Sequence, residues 1–113
     1  MTTIYHNPRC SKSRQCLAIL EEQKENIQII KYLDTPFTTE KLKETIDLIG
    51  IKPLDLIRKN EIIWKDNYKN KELTDEELIS IMIQNPKLIE RPIVIKNNKA
   101  IIGRPPEKVI DIL

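Results

Sequence analysis

Apolar positions along the chain alternate between two spacings. Thr3-Ile4-Tyr5 and the isoleucine-rich run from Ile27 to Leu33 have β character, whereas Ser13 to Lys24 places Cys16, Ile19 and Leu20 on one helical face. Pro8 breaks the chain before that helix, and Asp34-Thr35-Pro36 is a turn signal closing the second strand. A strand-helix-strand unit of this kind predicts a right-handed parallel crossover. Thr39 is then the expected cap of a helix carrying Leu42, Ile46 and Ile49 at helical spacing, and Gly50 stands where a C-terminal glycine belongs.

From Pro53 to about Glu90 the pattern is helical throughout. Its clearest start is Leu73-Thr74-Asp75-Glu76-Glu77-Leu78, where Thr74 and Glu77 form a capping box; Leu78, Ile81 and Met82 supply the buried face, and Asn85-Pro86 ends the helix. Strand character returns in Pro92–Ile95 and Lys99–Ile102, on either side of Asn97-Asn98, a pair that tolerates the positive φ of a tight hairpin. Pro105-Pro106-Glu107 opens a last helix with Val109, Ile110 and Leu113 expected on its inner face. The order β-α-β-α, helical insert, β-β-α predicts an α/β fold, a mixed four-stranded sheet flanked by helices. A single domain over residues 1–113 is expected, with the helical insertion at about 53–90.

Composition narrows the function. Nineteen Lys and Arg against 17 Asp and Glu leave a net charge of +2, too small for a general nucleic-acid surface, so any anion preference must come from a local site. The start of the chain lacks signal-peptide character and no apolar run reaches the roughly 18 residues of a membrane span, which predicts a soluble cytoplasmic protein without membrane contact. Two cysteines six positions apart with one histidine make no zinc ligand set, so no metal is expected, and they are too few for a disulfide scaffold. A reactive thiol in a reducing compartment fits better.

That thiol is Cys10. It falls between the first strand and the first helix, within the cationic segment Arg9-Cys10-Ser11-Lys12-Ser13-Arg14. Thiolate is the nucleophilic form, and backbone N–H groups at a helix start together with nearby cations stabilise it. Lys12 and Arg14 fall in the first helical turn, where cations oppose the helix dipole, so they read either as solvated charges or as groups serving the thiolate or an anion. His6, four residues before Cys10, reads either as a backbone-bonded strand-end histidine or as support for the thiolate, as an imidazolium or through a hydrogen bond. If one helix holds both cysteines, six residues amount to about 9 Å of rise and about 600° of rotation, which separates the sulfurs. Cys16 therefore reads as core packing, with a resolving thiol as the alternative. Trp64 and Tyr68, four apart, are expected to pack together.

Four segments carry a family resemblance: His6-Asn7-Pro8-Arg9-Cys10-Ser11-Lys12-Ser13-Arg14, Leu56-Ile57-Arg58-Lys59-Asn60, Arg91-Pro92-Ile93-Val94 and Gly103-Arg104-Pro105. Together they resemble the glutaredoxin-dependent arsenate reductases, the ArsC-like proteins of thioredoxin-like fold, from about Ile4 to the C-terminus. The resemblance implies reduction of arsenate to arsenite through a covalent adduct on Cys10. Glutathione and glutaredoxin would be the electron source, and no bound cofactor is implied. It implies that Arg58, Arg91 and Arg104 bind the oxyanion and that His6, Ser13, Arg14 and Pro92 support the site, with a cis Arg91-Pro92 bond. Fixed guanidinium groups suit the task, because they neutralise a multiply charged oxyanion and donate to two oxygens at once.

Ser11-Lys12 stands where better-known members have glycine and threonine, and Arg9 replaces a small residue. The phosphatase-type pattern Cys-x5-Arg is absent, since the sixth residue after Cys10 is Cys16. A Cys-x-x-Cys dithiol is absent too, since the third is Ser13, so an external thiol must complete turnover. The alternatives are an Spx-type redox-responsive regulator binding RNA polymerase, which commonly carries Cys-x-x-Cys, and a related thiol oxidoreductase with another substrate.

Overall fold

Residues Thr2–Tyr5 form strand β1 at the centre of the sheet, and the chain then turns through Asn7–Cys10 into helix α1, Ser11–Glu22. The computed structural model describes residues 1–113, which divide into two compact units, Met1–Thr35 with Arg91–Leu113 and Pro36–Glu90. In the first unit, β2 (Ile27–Ile30), β3 (Ile93–Lys96) and β4 (Lys99–Ile102) join β1 in the order β2-β1-β3-β4. β1 runs parallel to β2 and antiparallel to β3, and β3 pairs antiparallel with β4, giving the expected mixed sheet.

Register explains the core. Ile4 pairs with Val94, and Val94 with Ile101, so the three side chains lie on one face. There Ile4 and Val94 pack with Cys16 and Leu20 of α1 and with Val109 from the C-terminal segment. Burying such aliphatic side chains contributes about 1.5–3 kcal/mol each. The hairpin between β3 and β4 uses Asn97 (φ 50°) and Asn98 (φ 61°), both in the left-handed region as anticipated. Glu25 ties the N-terminal edge, accepting from Lys96 Nζ and Thr2 Oγ1 at 2.6 Å each. Those bonds, Lys96 first, hold its carboxyl below the ordinary carboxylate range.

In the second unit, a 3-10 turn at Pro53–Leu56 lies between α2 (Thr39–Ile49) and α3 (Ile62–Asn67), and a second at Pro86–Leu88 follows α4 (Asp75–Gln84). α4 packs on α2 and both turns, burying Leu78, Ile79, Ile81 and Met82. Trp64 and Tyr68 pack with ring centroids 5.9 Å apart. No helix is long and apolar enough to cross a membrane.

Several boundaries differ from expectation. The cap of α2 is Thr38, whose hydroxyl accepts from the Lys41 N–H at 3.1 Å, one residue earlier than Thr39. α1 starts at Ser11, two residues before the predicted start, and stops at Glu22, because Lys24 takes a left-handed φ of 56°. β2 stops at Ile30, where the Lys31 carbonyl accepts from the N–H groups of Asp34 and Thr35 and so begins the turn. The C-terminal segment Pro106–Ile112 is a 3-10 helix, whose three-residue turn aligns Val109 with Ile112 and leaves Ile110 half-exposed instead of buried.

Candidate functional site

The loop entering α1 is built by short-range chemistry. Asn7 opens a turn with Pro8 in its second position, a preferred arrangement for both residues. The Cys10 N–H donates to the Asn7 carbonyl at 3.0 Å, and the Arg9 N–H donates to Asn7 Oδ1 at 3.0 Å. Arg14 closes the outside of the loop, its Nη1 donating to the Pro8 carbonyl at 2.9 Å.

Inside the loop stands Ser13, fully buried in the first turn of α1. Its Oγ accepts from the Asn7 N–H at 3.0 Å and lies 2.6 Å from His6 Nδ1. The two side chains share one hydrogen bond, Ser13 Oγ donating to Nδ1 in one imidazole tautomer and Nδ1 donating to Oγ in the other. Burial, then the charges of Lys31 and Arg14, push the His6 pKa below its ordinary value of 6.5. Burial and the two cations thus favour the neutral ring over the imidazolium, and the side-chain bond that the structure shows for His6 is the one to Ser13.

Cys10 is the N-cap residue of α1, buried, and its side chain makes no capping bond to the first-turn amides. No acidic residue lies in that turn. The N-terminal N–H groups and the positive end of the helix therefore lack a side-chain acceptor beside the sulfur. Arg104 adds a full charge, its Nη2 3.9 Å from Cys10 Sγ. The guanidinium is aimed by a bond from Nε to the Arg91 carbonyl at 2.9 Å. The Arg91 side chain has a buried Nε without a partner in the protein. Both Arg91-Pro92 and Arg104-Pro105 are cis; the first was anticipated and the second was not. Gly103 lies between them because a Cβ there would meet Cys16 Sγ and Pro92 Cγ at 3.0 Å.

Cys10, Arg104, Arg91, Ser13, His6, Arg14 and Pro92 thus all belong to the first unit. Arg58 belongs to the second, where its N–H donates to the Leu88 carbonyl at 2.7 Å. There its Nη1 lies 2.6 Å from Glu61 and its Nε 3.3 Å from Glu90. Cys16 is buried in the core, and burial pushes its pKa up to about 11, which keeps it a protonated thiol near neutrality. No three His, Cys, Asp or Glu side chains gather into a metal site. The residue that sequence reasoning left without a role is Asn7. Its signal was present in the Asn-Pro step, which favours a turn accepting from the backbone two residues on.

Comparison with known proteins fits this arrangement. The ArsC family profile matches residues 5–112. The chain is 45% identical to the Escherichia coli (strain K12) protein YfgD, described as uncharacterized, over 97% of this chain and 94% of that one. It is 41% identical to the arsenate reductase of Haemophilus influenzae, over 97% of both chains. A solved arsenate reductase from Vibrio cholerae superposes with a TM-score of 0.95 at 46% identity, covering 99% of this chain and 97% of that one. The fold is the thioredoxin-like mixed sheet expected from the order of elements.

Proposed function

The chain belongs to the ArsC family, and from that membership we propose that it reduces arsenate to arsenite with Cys10 as the nucleophile. The observation that carries the reading is Arg104 Nη2 at 3.9 Å from Cys10 Sγ, at a helix start with no side-chain cap. A thiolate and an arsenate dianion repel each other; a fixed guanidinium and free helix amides offset that repulsion where the two meet. The orphaned Arg91 Nε supplies a further donor for an arsenate oxygen. Arg58 keeps its substrate role through its motif alone, and Ser13, His6 and Arg14 hold the loop that presents the sulfur.

The chemistry balances in three steps. Cys10 condenses with arsenate, forming an S–As bond and releasing water, with arsenic still at +5. An external thiol then attacks the Cys10 sulfur; the S–As electron pair leaves with arsenic, which departs as arsenite at +3, and a mixed disulfide remains on Cys10. A second thiol, glutathione or the active cysteine of glutaredoxin, exchanges with that disulfide and frees Cys10. The electrons must come from outside, because Cys16 is buried in the core as a protonated thiol.

The test is arsenite release by the purified chain supplied with arsenate, glutathione and glutaredoxin, with Cys10→Ser in parallel. Turnover that disappears in the variant is expected. Turnover no greater than that of the variant would end the proposal.

A further inference from the structure

Reduction in this scheme needs a thiol from solution, and the first unit contains an unassigned cavity beside the Cys10 loop. Its volume is about 310 Å³, at the lower end of small-molecule sites. His6, Arg9, Lys31 and Asp34 are among its lining residues. Arg9 directly precedes Cys10, so one lining residue is the nucleophile's chain neighbour, the two Cα atoms about 3.8 Å apart.

Three features point to a ligand. His6 is 5% exposed, its Nδ1 is taken by Ser13, and its Nε2 has no hydrogen-bond partner in the protein. Arg9 and Lys31 form no ion pair, although each carries a full positive charge. Asp34, in the same lining, is likewise unpaired as a carboxylate. Two cations and an imidazole nitrogen in one lining with a carboxylate match a group bearing both signs at close range. An α-amino acid end is such a group, its carboxylate facing Arg9, Lys31 and His6 and its ammonium facing Asp34. Inorganic arsenate, carrying only negative charge, would meet Asp34 unfavourably.

We propose that this cavity binds the zwitterionic amino-acid end of the small peptide thiol that attacks the Cys10 adduct. The inference rests on the reductase reading and adds to it the place where the reductant docks. Held there, the thiol attacks the Cys10 sulfur as an intramolecular partner, and arsenic leaves with the S–As pair as arsenite, balanced as above.

S-methylglutathione is a suitable probe, since its thioether cannot exchange. Titrated into the full chain, it should give a saturable NMR shift of the imidazole signals of His6, the one histidine present. Lys31→Ala and Asp34→Ala should each weaken the apparent affinity about tenfold. Imidazole signals that do not move would overturn the proposal, as would wild-type affinity in both variants. So would a Lys31-dependent shift of the same kind with arsenate alone. Binding is read here without turnover, and arsenite release driven by dithiothreitol is read without this cavity. Cys10-dependent arsenite release with a silent His6 would remove the docking site and keep the reductase. A saturable His6 shift without arsenite release from any thiol would keep the docking site and remove the reductase.

Discussion

α1 and α4 are helices of 12 and 10 residues that begin in opposite ways. α4 starts with Thr74 Oγ1 accepting from the Glu77 N–H and Glu77 Oε1 accepting from the Thr74 N–H, both at 3.1 Å. Asp75, Glu76 and Glu77 then complement its dipole. α1 starts at a cysteine that caps nothing, with Lys12 and Arg14 set against the same dipole and no acid nearby. One helix satisfies its own terminus and gains stability. The other leaves its amides and positive field to a sulfur anion and an oxyanion, giving up stability at the place where chemistry is proposed.

The strongest way to break this comparison is to give α1 an ordinary cap. Cys10→Ser should reduce arsenite release to background while raising stability by about 0.5–1 kcal/mol, checked by turnover and urea melts on one preparation. A variant that is inactive and less stable would mean that the sulfur itself holds the helix start. Next in size is Arg104→Lys, expected to lower kcat/KM about a hundredfold and to slow alkylation of Cys10 by iodoacetamide. A lysine cannot bond the Arg91 carbonyl and reach the sulfur with two nitrogens of one plane. Unchanged alkylation would remove Arg104 from the environment of the sulfur.

Cys16→Ser should instead leave most turnover intact and cost about 1–3 kcal/mol, because it puts a hydroxyl among Ile4, Leu20, Val94 and Val109. Turnover lost as fully as in Cys10→Ser would make Cys16 a participant. Thr74→Ala should cost about 1 kcal/mol in urea melts without touching arsenite release.

The smallest effect concerns pH. The folded pKa of His6 lies below 6.5, so the fold favours the neutral ring and the unfolded chain takes up the proton more readily. The resulting stability is fully present above pH 6.5 and is lost as pH falls through the folded value. Thermal melts on descending pH should show this slope in the wild type and a flatter one in His6→Asn.

Local chemistry made much of this legible in the sequence. The capping box at Thr74 and Glu77, the Gly50 terminus with φ 80°, the Asn97-Asn98 hairpin and the order of elements along the chain all follow from short-range preferences. What stayed hidden depends on partners far apart along the chain. Arg58 meets Glu61 across the turn that precedes α3, and Glu90 meets the same guanidinium only after α3 and α4 fold back between them. His6 and Ser13 lie seven residues apart in different elements, so no periodicity joins them. Ile110 was misplaced because an α-helical period was applied to a segment with three residues per turn.

Arg104 is aimed by a main-chain oxygen of Arg91, and an oxygen of that kind is present whatever amino acid a codon specifies. Replacing the Arg91 side chain therefore removes one guanidinium while the carbonyl that steers the other survives. Genetic scans at position 91 would accordingly undercount its contribution, recording the loss of a single positive group and missing the peptide unit beneath it.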